Sequence, residues 1–414
     1  MYKRQAQKYD FIEEVMEECM VNRAEKSEKT DRIDALLTHR IWGVPVFLGI
    51  MALVFFLTFT VGDWLKGFLE IGLDWVYAAV TDFLTWCHVS DWVISLVVDG
   101  ALAGVGGILS FLPNIFILFL ALAILEDSGY MSRVAYVMNH IMGKLGLSGR
   151  AFIPMLLGFG CSVPAVMASR ALEDPKDRLR TILVTPFMSC SAKLPVYVLL
   201  SGMFFGKYAM FAAFSMYVIG MIVAVLVSLV LSKIMKVEHV NNLLIELPEY
   251  KAPNARSIWI YVWEKIKEYI TKAGTTIFVA SVAVWLLMNF GPHGMVADMA
   301  DSFGASLGKL LVPVMKPAGL GYWQIVLALI SGIAAKEVVV SSLSVLYGIT
   351  NVSSATGMTS LVTMLGAQGF TSINAYAMML FCLLYVPCIA TIAMVRQETK
   401  SRKWTIISLS LIHI

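Results

Sequence analysis

The sequence predicts an all-α polytopic membrane protein with two repeats of inverted topology, each containing a re-entrant, broken helix. Three observations carry this reading. The 414 residues are 58% hydrophobic and only 15% charged, against about 45–50% and about 25% in soluble proteins. The charges are clumped: residues 1–42 hold 17 of them, and Val338–Val395 holds none. The parity of the apolar stretches also fails unless two of them return to the side they left. The 32 basic and 29 acidic residues are too balanced for a nucleic-acid binder.

The N-terminal segment, 1–42, is polar, lacks the early apolar core of a secretory signal, and carries eight Lys/Arg. Cytoplasmic loops are enriched in Lys and Arg, so this end reads as inside. Val44–Val61 is the first uncharged stretch long enough to approach the ~20 residues a spanning helix needs. The segment Val61–Gly100 has one basic residue, Lys66, against six acidic ones, with Trp64, Trp75, Trp86 and Trp92. It reads as outside and interfacial. Ala101–Leu125 returns inside, where Arg133, Lys144 and Arg150 follow.

Ala151–Ser169 is the first parity failure. If it crossed, the basic loop Arg170–Arg180 would lie outside, so it is expected to be re-entrant from the inside. Thr181–Gly206 then goes out and Tyr208–Ser232 comes back. Lys233–Lys272 contains seven basic residues and reads as inside. In the second half Gly274–Phe290 goes out, and Ile373–Val395 must come in to place Arg396, Lys400, Arg402 and Lys403 inside. Tyr322–Leu346 is therefore re-entrant from the outside. Paired interrupted helices in inverted repeats are a mark of secondary transporters, with the site near the midplane. After Lys403 only Trp404–Ile414 remains, so the chain is expected to stop within its last span.

The chemistry concentrates at the interruptions. Gly158-Phe-Gly-Cys-Ser-Val-Pro164 cannot hold a regular helix, and freed backbone in a membrane must line a cavity or be buried in protein. Cys161 sits at that break. Pro186 and Pro195 bracket Met188, Ser189, Cys190, Ser191 and Lys193. Pro387 has no N–H, which frees the carbonyl four residues earlier, and Cys388 is beside it. Thiol and thioether ligands select soft or borderline metals such as Fe(II), Cu(I) and Zn(II), so Cys161, Cys190, Cys388, Met188 and Ser189 are the candidate metal residues. Lys193, Lys336 and Glu337 are intramembrane charges that mark a transport path; a Lys193–Glu337 pair across the repeats is one way to balance them. Glu126 and Asp127 close the second span on the inside as a candidate exit. Cys19, Cys87 and Cys382 lack such a setting. No phosphate loop, GxSxG elbow or HExxH pair occurs.

The stretches Leu125-Glu-Asp-Ser-Gly-Tyr-Met-Ser-Arg133, Gly158-Phe-Gly-Cys-Ser-Val-Pro-Ala165, Pro186-Phe-Met-Ser-Cys-Ser-Ala-Lys-Leu-Pro-Val-Tyr197, Ala335-Lys-Glu-Val338 and Leu384-Tyr-Val-Pro-Cys-Ile-Ala-Thr391 resemble the membrane domain of the ferrous iron transport protein B family. Asp177-Arg-Leu179 and Thr38-His-Arg40 also fit, and the resemblance runs from about Tyr9 to Lys403. It implies two inverted gate domains related to nucleoside-transporter gates and Fe(II) as transported substrate. Cys161, Cys190 and Cys388 are the implied path residues. Members usually begin with a GTP-binding domain and a helical spacer. Here there is no GTP site in this chain, and 1–42 reads as the spacer's remnant. The expected organisation is thus 1–42 cytoplasmic spacer remnant, 43–100 first span with outer segment, 101–235 gate repeat 1, 236–272 cytoplasmic linker and 273–414 gate repeat 2. The expected setting is multi-pass in a bacterial cytoplasmic membrane with the N-terminus inside. Expected partners are lipid, Fe(II), the GTPase domain, small cytoplasmic accessory proteins and a homo-oligomer, with no nucleic acid. The permease part is not expected to be an enzyme. A nucleoside-type carrier, or a transporter of Mn(II) or Zn(II), is the alternative.

Overall fold

The computed structural model describes residues 34–35, 37–39, 42–110, 112–235, 250–292, 294–296, 299–349 and 355–411. Most of the expected spacer remnant, with Cys19, and the first part of the expected linker lie outside the described residues. The described chain is helical apart from one two-residue hairpin, Phe290–Gly291 against Gly294–Met295. Four of its helices are long and apolar enough to cross a membrane, or five if one bent pair counts as a single span.

The first helix, α1 (Gly43–Trp86), has 44 residues. At ~1.5 Å per residue it is ~66 Å long, about twice the ~30 Å hydrocarbon thickness. The outer segment after Val61 continues as the same helix as far as Trp86. The acidic residues that end the apolar run do not break the helical period. Its half-buried residues Lys66, Leu69, Leu73, Tyr77, Val80 and Leu84 recur three or four apart and form one face. Tyr77 donates to the Leu102 carbonyl at 3.3 Å, tying this face to α2 (Asp91–Asp127).

From α2 onward one order of elements occurs twice. First comes the long helix α2, then the amphipathic α3 (Tyr130–Lys144), then the pair α4 (Phe152–Gly160) and α5 (Ser162–Ala168). A broken span follows, α6 (Pro175–Val184) with α7 (Leu194–Phe205), and then α8 (Ala209–Ile234). After α9 (Ala255–Tyr269) and a π-turn at Ile270–Gly274, the order restarts with α10 (Thr275–Asn289) and the amphipathic α11 (Phe303–Met315). Next come the pair α12 (Trp323–Ser331) and α13 (Val338–Leu346), an added helix α14 (Ala355–Ala367), the broken span α15 (Ser372–Leu384) with α16 (Ile389–Thr399), and α17 (Arg402–Leu411). The halves of both pairs, α4 with α5 and α12 with α13, touch each other across their breaks. The stretch ending α11 makes a 101° bend with α12.

The two halves interlock. Val196, Tyr197, Leu199 and Leu200 of α7 are buried in the core built by α12, α13 and α15. Conversely, Ala390, Met394 and Val395 of α16 are buried with Val163, Val166 and Met167 of α5 and with α2 and α9. In α8 the buried residues Ala212, Met216, Gly220, Ala224 and Ser228 fall every fourth position. Small residues let membrane helices approach closely. A Cβ on Gly220 would stand 2.9 Å from the Phe187 carbonyl. The outer faces remain apolar, with Phe56, Met210, Phe211, Leu310 and Val314 all exposed, as lipid contact requires.

Candidate functional site

The interruptions of all four broken elements converge on one cavity of about 160 Å³. Cys161, Cys190, Lys193, Lys336, Glu337 and Cys388 all line it. Four of these residues immediately precede a helix: Cys161 before α5, Lys193 before α7, Glu337 before α13 and Cys388 before α16. The free N–H groups of a helix start, and the positive end of its dipole, favour negative charge nearby.

Local sequence explains each break. Cys161 is extended (φ −150°, ψ 132°) between Gly160 and the helix that Pro164 helps to start. Between Pro186 and Pro195 the chain makes two short 3-10 turns, Thr185–Phe187 and Ser191–Lys193. Met188 and Cys190 are extended there. Pro387 disfavours helix in the residue before it, and α15 ends at Leu384 with Tyr385 extended, which leaves the Leu383 carbonyl without a helical partner.

The freed groups are satisfied across the cavity. Lys193 Nζ donates to the Leu383 carbonyl at 3.0 Å, the acceptor that Pro387 leaves open. Lys336 Nζ donates to the Val386 carbonyl and stands 3.2 Å from the centroid of the Tyr385 ring. The Ile389 N–H donates to the Ile333 carbonyl at 2.9 Å, and Ser191 Oγ donates to the Gly160 carbonyl at 2.8 Å. The two lysines are 4% and 3% exposed, and each reaches a backbone carbonyl at the break between α15 and α16. Lys193 thus takes a backbone partner rather than Glu337. Cys388 Sγ lies 3.1 Å from Thr391 Oγ1.

Other sequence-predicted residues lie elsewhere. Met188 is buried against Gly158, whose Cβ, if present, would be 2.9 Å from the Met188 Cβ. Ser189 Oγ donates to Tyr197 Oη at 3.1 Å. Neither lines the cavity. Asp127 is exposed and accepts from the Asn254 N–H at 2.6 Å. Glu126 is exposed too, and both sit at the outer edge of α2 away from the cavity. Cys87 is exposed and Cys382 buried. Among the described residues no three His, Cys, Asp or Glu side chains are close enough to hold a metal ion together.

One ionic cluster was not anticipated. Arg170, just past α5, donates to Glu398 of α16 at 2.9 Å and to Glu268 of α9 at 2.9 Å. Arg178 of α6 donates to Glu398 Oε2 at 2.7 Å, an oxygen that Arg170 also reaches. Hydrogen bonding to Glu398 raises the Arg170 guanidinium above its ordinary pKa. The sequence showed only a basic loop and a basic tail; nothing in the spacing joins positions 228 residues apart.

A family model described as "Gate: Nucleoside recognition" matches residues 108–204 and 270–402, and these two segments contain every cavity residue named above. A second, "Ferrous iron transport protein B C terminus", matches residues 213–265. The "Fe(2+) transporter FeoB" of Staphylococcus aureus (strain COL) is 42% identical over 403 residues, 97% of this chain and 60% of that protein. The protein of the same name from Methanocaldococcus jannaschii is 36% identical over 412 residues, 98% of this chain and 60% of that protein. A "Fe(2+) transport protein A/Fe(2+) transporter FeoB fusion protein" of Porphyromonas gingivalis is 36% identical over 446 residues, covering 97% of this chain and 52% of that protein. The chain thus spans about three-fifths of the first two relatives' length. No solved structure matches it significantly. With the two Gate segments covering more than half of its length and these relatives aligned along nearly all of it, the chain belongs to the ferrous iron transport protein B family, as the membrane part that carries the gates.

Proposed function

We propose that this chain is the permease part of a ferrous iron uptake system, and that Fe(II) passes through the cavity lined by Cys161, Cys190 and Cys388. The convergence of three thiols, each from a different broken helix, on one cavity carries this reading. Thiolates suit Fe(II) and exclude Mg(II) and Ca(II), which prefer oxygen cages. A path must bind its ion weakly enough to release it. Thiols spaced too widely for a closed three-residue site fit transit better than storage. With both lysines engaged by backbone carbonyls, the thiols and Glu337 remain the groups available to a passing cation. Met188 and Ser189 support the break around Cys190 in this reading.

The repeated order of elements supports two gate units in opposite orientation across a bacterial cytoplasmic membrane, with the Lys/Arg-rich N-terminal side in the cytoplasm. Lipid covers the apolar exterior. The fusion of a relative to an Fe(2+) transport protein A supports a small accessory protein as partner. The relatives are longer than this chain, which leaves room in them for the GTP-binding domain that the family resemblance implies. Self-association and the roles of Glu126 and Asp127 at the exit belong to the same proposal. The nucleoside-carrier reading is not favoured, because thiols and ammonium groups dominate the breaks. The test is anaerobic uptake of radiolabelled Fe(II), Mn(II), Zn(II) and uridine into proteoliposomes of the full protein. Fe(II) accumulation with no uridine uptake supports the proposal. Uridine uptake without Fe(II) uptake overturns it.

A further inference from the structure

The cavity is closed on one side by two helices that begin at its thiols. Cys161 precedes α5 and Cys388 precedes α16, and the two helices pack along each other. Between them Val163, Val166, Met167, Ala390, Met394 and Val395 form an apolar seal, none more than 2% exposed. At their far ends Arg170 and Glu398 bond to each other, and the pair is extended by Arg178 of α6 and Glu268 of α9. The Glu398 side chain is 4% exposed. Tyr269, the residue after Glu268, lines the cavity, so α9 joins the same cluster to the same wall. By the charge distribution this is the cytoplasmic side.

A divalent cation cannot pass an apolar seal while it is shut, because a charge stripped of water and partners is prohibitively unfavourable there. For an ion at Cys161 or Cys388 to leave toward the cytoplasm, α5 and α16 must part. Their other ends are held by the Arg170–Glu398 bonds. We infer that Arg170, Arg178, Glu268 and Glu398 form the latch of the inner gate, holding α5 against α16 and breaking when the cavity opens to the cytoplasm. The latch arginines come from the first repeat and Glu398 from the second, with Glu268 on the segment between them, so it reports their relative movement. The location on the path rests on the proposed function; the mechanical claim does not require that the cargo be iron.

The test is access to the thiols from the cytoplasmic side. Inside-out vesicles containing the full protein are treated with a membrane-impermeant maleimide, and modification of Cys161 and Cys388 is followed by peptide mass spectrometry. Removing the latch by Glu398→Gln is expected to raise both rates at least roughly fivefold, within the usual range of coupling between sites. Labelling from the outer face of right-side-out vesicles should not change. An unchanged cytoplasmic rate in a Glu398→Gln protein that remains monodisperse overturns the latch. A second variant covers misfolding. Arg170→Cys with Glu398→Cys, joined by a short bis-maleimide, should stop uptake, whereas the same protein before joining should transport. Full uptake after joining overturns the latch as well. If the labelling responds as expected but Fe(II) is not carried, the latch stands and the assigned cargo fails.

Discussion

The bond between Lys193 and the Leu383 carbonyl joins the two repeats through a single backbone defect, and its contribution can be measured by a double-mutant cycle. Pro387 supplies no N–H, so the Leu383 carbonyl depends on the Lys193 ammonium at 3.0 Å. A hydrogen bond to a charged group is worth about 1.5–3 kcal/mol. Removing a buried ammonium also relieves its desolvation, but Lys193 borders a cavity of about 160 Å³. Lys193 is nonetheless only 4% exposed, so that relief offsets part of the loss. Lys193→Met should therefore destabilise the protein by about 2 kcal/mol. Pro387→Ala lets α15 run on through the break so that the N–H of residue 387 serves Leu383, and in that background the same substitution should cost no more than about 0.5 kcal/mol. The assay is detergent-driven unfolding in mixed micelles, followed by tryptophan fluorescence. An equal loss in both backgrounds, or no loss from Lys193→Met alone, refutes the account of the break.

Other outcomes follow from the same geometry. Gly158→Ala places a Cβ 2.9 Å from the Met188 Cβ, a rigid contact, and should destabilise the protein by about 1–3 kcal/mol, read in the same unfolding assay. Ser191→Ala removes the 2.8 Å bond to the Gly160 carbonyl. It should cost about 0.5–1.5 kcal/mol and loosen Cys161, seen as faster maleimide labelling. Arg133 is 1% exposed, bonds Asp34 at 2.8 Å and the Gly129 carbonyl at 2.9 Å, and lies under the Tyr250 ring. Arg133→Met should cost about 3 kcal/mol, the lower end for a broken buried pair because Asp34 keeps some solvent. It should also expose the segment around Asp34 to limited proteolysis.

Much of this architecture was legible from charge and glycine–proline punctuation. The stretches Ala151–Ser169 and Tyr322–Leu346 had to turn back to keep the basic loops on one side, and the structure interrupts both, at Cys161 and between Ser331 and Val338. Pro387 pointed to a free carbonyl at Leu383, and Lys193 was already suspect as an intramembrane charge. What the sequence could not supply was that one serves the other, because a hydrogen bond across 190 residues leaves no periodic trace. The latch is hidden for the same reason. Arg170 and Glu398 sit among charges that read as ordinary solvated loop ends. The length of α1 was missed for a different reason. Asp63, Lys66 and Glu70 stop an apolar run but not a helix, since a helix outside the hydrocarbon needs only one packed face.

The central claim is that three thiols from three helix breaks carry the ion. Its most direct measurement is anaerobic uptake of radiolabelled Fe(II) by proteoliposomes of the full protein, comparing wild type with Cys161→Ser, Cys190→Ser and Cys388→Ser at equal protein. Serine keeps the shape of the site but replaces a soft ligand with a hard one. The account predicts that each substitution lowers uptake at limiting Fe(II) by roughly tenfold or more, the equivalent of about 1.4 kcal/mol per lost thiolate contact. Uptake at the wild-type rate in all three variants would contradict it.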